Sequence, residues 1–115
     1  DGGERRATRG GFEGSGRGSA RGARPTFVKL LWASQAWSDY LHWQTTDPQT
    51  LARLNELLRD VMRQPFVGIG KPEPLRGALS GWWSRRIDRE HRLVYRVVGK
   101  GAEQSIEVAQ CRFHY

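Results

Sequence analysis

Apolar positions along the chain fall into two regimes. Residues 1–27, DGGERRATRGGFEGSGRGSARGARPTF, alternate glycine and arginine among small residues and offer almost nothing apolar. Such a stretch cannot bury enough surface to offset its ordering entropy, so the pattern predicts a disordered Gly/Arg-rich extension. It equally fits a start assigned too early, with the folded pattern opening at Val28. From there the periodicity is regular. Val28–Trp32 is a short apolar run with β character. Ser34 reads as the N-cap of a first helix in which Ala33, Ala36, Trp37, Tyr40 and Leu41 recur at helical spacing. Asp47-Pro48 supplies an N-cap followed by proline at the first helical position, opening a second helix to about Arg63. Its core stripe is Leu51, Leu54, Leu58 and Val61.

Pro65, Gly68 and Gly70 open a loop reaching about Leu79. Three β segments follow, roughly Gly81–Ile87, His91–Val98 and Ser105–Phe113, joined by short turns at 88–90 and 99–101 that favour antiparallel hairpins. The expected fold is therefore α+β, an antiparallel sheet with two N-terminal helices packed on one face. One domain, residues 28–115, follows the extension of residues 1–27. Within the 115 residues no stretch approaches the length of a membrane span and no secretory leader is evident. A single cysteine, Cys111, excludes an internal disulfide and fits a reducing cytoplasm.

Charge changes the picture more than composition does. The net charge is +7, and most of the 19 basic residues are arginine. A small basic domain points to a polyanionic partner, and the guanidinium fork suits phosphate. High-GC coding would give the same arginine bias, so charge alone leaves the partner open. There is no metal-ligand spacing and no nucleotide loop. The triplet Gly68-Ile69-Gly70 before Lys71 lacks the spacing and hydroxyl residue of a phosphate loop.

Four segments carry candidate chemistry. In Lys71-Pro72-Glu73-Pro74 each proline stiffens the backbone, presenting Glu73 as a carboxylate on an extended peg. Taken alone, Pro-Glu-Pro is better read as a rigid surface loop with a solvated glutamate. In Trp82-Trp83-Ser84-Arg85-Arg86-Ile87 and His91-Arg92-Leu93-Val94-Tyr95, arginines interleave with aromatics. Alternation puts Arg92 and Arg96 on one face, opposite Leu93, Tyr95 and Val97. That mixture suits RNA, although a charged solvent face would look the same. His114 is either a frayed terminal residue or a proton shuttle suited to neutral pH. His91 reads as structural and His42 as a helix-surface residue. A carboxylate, an arginine and a histidine are what metal-free RNA cleavage needs, but spacing cannot show that they converge.

Residues 28–115 closely resemble the YoeB (Txe) toxins of the RelE/ParE superfamily. The match runs in order through Val28-Lys29-Leu30-Leu31-Trp32, Trp37 to Trp43, Asn55-Glu56-Leu57, Pro65-Phe66, Gly70-Lys71-Pro72-Glu73-Pro74-Leu75, Leu79-Ser80-Gly81, Trp83 to Ile87, Glu90 to Tyr95, and Cys111-Arg112-Phe113-His114-Tyr115. The resemblance implies a microbial RNase fold and ribosome-dependent cleavage of mRNA without metal or cofactor. It places Glu73 on the general base, His114 on the general acid, Arg92 on transition-state stabilisation and Tyr115 on substrate holding. Lys71, Arg86 and Arg85 would line the substrate path. It also implies a homodimer and a YefM/Phd-like antitoxin whose acidic tail folds onto the toxin. Two other readings stay open: a ParE-like inhibitor of DNA gyrase, and an RNA-binding relative without activity.

Overall fold

Strand gives way to helix at Ala33 in the computed structural model, which describes residue 27 and residues 29–114. The first strand, β1 (Leu30–Trp32), ends with the Ala33 N–H donating to Val108 O (2.9 Å), while Ala33 O accepts from Trp37 N (3.0 Å). Ala33, not Ser34, is therefore the cap residue of α1 (Ser34–Thr46), and no side chain caps that end. The strand's last hydrogen bond sets the boundary one residue earlier than the sequence suggests. At the next junction local chemistry rules. Asp47 accepts from the Thr50 N–H (3.1 Å) and hydroxyl (2.8 Å), and Pro48 follows at the start of α2 (Pro48–Arg63), as expected.

The buried face of α1 carries Ala36, Asp39 and Trp43, whereas Trp37 and Leu41 are exposed. The apolar stripe read from sequence is thus rotated. Asp39 is buried because its carboxylate accepts the Cys111 N–H (3.0 Å), and Trp43 turns inward to donate its indole N–H to Cys111 O (2.9 Å). In α2, Leu54, Leu58 and Val61 are buried and Leu51 packs beside them. Both helices meet Leu93, Tyr95, Ile106 and Val108 in one core. Phe27 joins that core and its N–H donates to Met62 O (3.2 Å), so the folded part begins before Val28. Assigning Phe27 to the extension is corrected on that ground; the rest of that segment, and Val28, lie outside the described residues.

Five strands make the sheet, in the order β1-β5-β4-β3-β2, with β2 (Glu73–Pro74), β3 (Trp83–Arg86), β4 (Arg92–Val98) and β5 (Ser105–Gln110). The meander β3-β4-β5 is antiparallel, as its short turns require. The sheet as a whole is mixed, because β1 returns through the helices and lies parallel to β5. The expected α+β class stands, with this strand direction added.

The long loop between α2 and β3 is held by one buried side chain. Arg85, fully buried, donates to Asp60 Oδ2 (2.5 Å), Gln64 O (2.6 Å), Val67 O (2.8 Å), Ile69 O (3.1 Å) and the Tyr95 hydroxyl (3.1 Å). Tyr95 passes its own proton to Pro65 O. Gly68 is required here, since a Cβ would lie 2.0 Å from Asp60 Oδ2 and its φ is +127°. Burial pushes the Asp60 carboxyl up, but hydrogen bonds from Arg85, Arg63, Gln64 and the Ile69 N–H outweigh it and hold the group far below the usual carboxylate range.

A depressed carboxyl contributes stability that is present above the unfolded value, near pH 4, and is lost as pH falls through the native one. Asp60→Asn keeps the shape but strands the guanidinium, so urea denaturation at pH 7 should show a loss of about 3 kcal/mol. Its stability should also vary less with acid than that of the unmodified chain. An unchanged midpoint would refute the structural role given to this pair.

Candidate active site

Sheet register sorts the candidate residues by face. Leu93 and Tyr95 of β4 point into the core, so Arg92, Val94 and Arg96 point the other way. Residues paired across strands share a face. Arg92 pairs with Arg86, Val94 with Ser84, and Ser84 with Glu73 on β2. Glu73, Arg86 and Arg92 therefore lie on one sheet face, opposite the helices. Two strand spacings and a two-residue offset along β4 place the Cα atoms of Glu73 and Arg92 roughly 12 Å apart. Glu73 reaches this position because Pro74 pairs with Trp83 and Leu75 N–H donates to Trp82 O (2.9 Å), making a two-residue edge strand where sequence showed only loop.

Farther along the same face, Arg96 pairs with Glu107 (2.9 Å) and stacks 4.4 Å from the Trp82 ring centre. Trp82 thus faces the site side and Trp83 the core. Opposite β4, the pairing steps from Tyr95–Val108 to Val94–Gln110, leaving Ala109 as an extra residue. That bulge reverses the parity of β5, so Gln110 joins the site face and the chain beyond it is re-aimed.

The tail after β5 is fastened at successive points. Asp39 and Trp43 grip Cys111 as described above, and burial pushes that thiol up, so it stays protonated and inert. Phe113 adopts a left-handed backbone (φ 65°), its O accepting from Arg92 N (3.1 Å) and its N–H donating to His91 Nδ1 (2.7 Å). The Gln110 amide donates to Arg112 O (3.1 Å) and His114 O (3.4 Å). His114 then lies in an open cleft lined with Asp88, Arg89 and Glu90.

The turn 88–90 also holds the arginine. Asp88 Oδ1 accepts from the N–H groups of Glu90 (2.8 Å) and His91 (2.7 Å), the usual self-cap of an aspartate-led turn. Arg92 sends one terminal nitrogen to Asp88 O (2.7 Å) and His91 O (3.1 Å). Arg92 and His114 thus meet at a single turn, with Arg86 beside them and Glu73 on the neighbouring edge strand. Sequence reading passed over Asp88, Gln110 and the bulge. An aspartate opening a three-residue turn is a legible signal; the bulge has none without the pairing.

Three expected residues remain, and one of them falls elsewhere. Arg85, expected on the substrate path, is corrected: it is wholly buried on the core face, with its donors spent on the loop. Lys71 is exposed, with φ 53°, directly after Gly70, whose O accepts from Arg86 N (2.7 Å). Tyr115 lies outside the described residues. Among the described residues no group of three His, Cys, Asp or Glu side chains is placed to hold a metal ion, and no helix is long and apolar enough to cross a membrane.

With this geometry in place, the relatives are informative. Residues 32–115 match the family model of the YoeB-like toxin of bacterial type II toxin-antitoxin systems. Toxin YoeB of Escherichia coli K12 is 52% identical over 88 residues, 76% of this chain and 100% of that one. A solved YoeB/ParE toxin from Agrobacterium tumefaciens superposes with a TM-score of 0.74 at 56% identity, covering 76% of this chain and all of that one. YoeB of Staphylococcus aureus, solved as a dimer, is 40% identical with a TM-score of 0.68, over 76% of this chain and 98% of that one. The same toxin in a heterotetrameric YoeB-YefM complex gives 0.68 and 40%, over 81% and 100%. The chain belongs to the YoeB-like family of type II toxin-antitoxin toxins.

Proposed function

We propose that this toxin is a metal-independent endoribonuclease that cuts mRNA on the ribosome and so blocks translation in the cytoplasm. One observation carries the reading: a carboxylate and two arginines share one face of the sheet, and a histidine lies at the turn that also holds one of those arginines. Glu73, as base, takes the proton of a ribose 2′-hydroxyl, whose oxygen attacks the adjacent phosphorus. Arg92 stabilises the charge gathering on the non-bridging oxygens. His114, as acid, protonates the leaving 5′-oxygen, giving a 2′,3′-cyclic phosphate and a free 5′-hydroxyl. Lys71 and Arg86 line the strand's path by phosphate contact, and Tyr115 helps hold the substrate. The separation of about two strands between Glu73 and Arg92 leaves room for a phosphodiester between them. No cofactor enters this scheme.

The partners follow the same reading. A net charge of +7 favours an acidic antitoxin segment of the YefM (Phd-like) type, which would cover the basic face. Trp37 and Leu41 project one turn apart on α1, and with Leu31 they are more than two-fifths exposed. An apolar patch of that kind supports self-association into a homodimer.

In a reconstituted translation system, primer extension on a reporter mRNA should reveal a ribosome-dependent cut. Glu73→Gln and His114→Gln should each slow it by about 10²-fold or more. Arg92→Lys should also be impaired, since an ammonium lacks the guanidinium's fork. Full activity in both acid-base variants would refute the assigned roles; no cut by the unmodified chain, with inhibition of gyrase supercoiling instead, would establish the ParE-like alternative. In sedimentation the isolated chain should run as a dimer and Trp37→Asp as a monomer. A monomeric unmodified chain would remove the dimer.

A further inference from the structure

We infer that His91 is a positioning residue for His114, acting through a neutral imidazole that accepts the Phe113 backbone N–H. This inference rests on the nuclease reading. The contact between Phe113 N and His91 Nδ1 is 2.7 Å, and it secures a residue with a left-handed backbone, φ 65°. A phenylalanine seldom adopts that conformation unless its surroundings hold it. Next to it, the Arg92 N–H fixes Phe113 O (3.1 Å), so the dipeptide His91-Arg92, at the entry to β4, grips both polar groups of the kinked residue. The direction in which His114 leaves the sheet follows from that kink.

The His91 ring is itself placed on two sides. Its edge meets the Trp43 ring from α1 (4.8 Å between centres), and it packs beside the Phe113 ring (5.8 Å). The His91 backbone N–H is anchored by Asp88 Oδ1 (2.7 Å). With Nδ1 accepting, the ring proton belongs on Nε2, which lies 3.8 Å from Glu90 Oε1. A second carboxylate, Asp47 at the α1–α2 junction, lies within electrostatic reach of the ring. Arg92 is the adjoining cation.

Chemistry makes the contact state-dependent. Imidazolium has a proton on both nitrogens and cannot accept. Protonating His91 therefore sets two N–H groups against each other and frees Phe113 from its kink. The two histidines then have opposite requirements: His114 must carry its proton to act as acid, while His91 must lack its own to aim that acid.

Two variants and one spectroscopic reading test this. His91→Phe keeps the ring against Trp43 but removes the acceptor; kcat should fall by about 10²-fold with KM little changed, the scale of a small misplacement of a reacting group. His91→Asn, whose Oδ1 stands where Nδ1 does, should restore kcat. Independently of activity, the Phe113 amide should be protected from hydrogen exchange in the unmodified chain and lose that protection in His91→Phe, as read by NMR. Unmodified kcat in His91→Phe, or a loss in His91→Asn equal to that in His91→Phe, would overturn the inference. So would a Phe113 amide indifferent to His91→Phe. An unmodified chain that holds this amide yet cuts no RNA would instead refute the nuclease reading.

Discussion

A single buried cation, Arg85, sets the geometry on which the site depends. Its guanidinium gathers carbonyls from Gln64, Val67 and Ile69, a segment with no regular structure to satisfy them. Water or a neutral side chain could not hold those groups in place within the core. The cation is affordable because Asp60 neutralises it and Tyr95 completes its hydrogen bonding. Without that clamp the loop would have no fixed path to Gly70, and the edge strand bearing Glu73 would have no fixed start.

The rest of the site depends on connections of high sequence separation. Trp43 and Asp39 of α1 hold Cys111, near the opposite end of the chain. Asp88 shapes the turn that carries His91 and Arg92, and both then hold Phe113. Rigid elements carry Arg86 and Arg92, whereas Glu73 and His114 sit on short segments tethered to them. That division suits the proposed mechanism, in which cations stay put while the groups that exchange protons are aimed by their supports.

Much of the fold was legible in the pattern of residues. Asp47-Pro48 marked a helix start through local chemistry alone, and the short turns dictated the antiparallel meander. What stayed hidden was decided at a distance. The α1 face was misjudged because Asp39 and Trp43 are drawn inward by Cys111, more than sixty positions away. Arg85 and Arg86 look alike in sequence, and only strand register tells the structural one from the solvent-facing one. Glu73 and His114 were recognisable through family resemblance, while the sheet face of Glu73 needed the pairing of β2 with β3, and the course of the chain toward His114 needed the bulge at Ala109.

The adjacency of Arg85 and Arg86 gives β3 a built-in proof-reading of its own alignment. A slip by one position would send Arg85 into solvent and force Arg86 into the space beside Asp60. Nothing else in the strand would compensate, since Trp83 and Ser84 would exchange sides as well. A misaligned chain would therefore lose its clamp and its solvent-facing cation together. The pairing of β3 is thus a single condition for two things, the fastening of the loop and the charge pattern of the face opposite the helices.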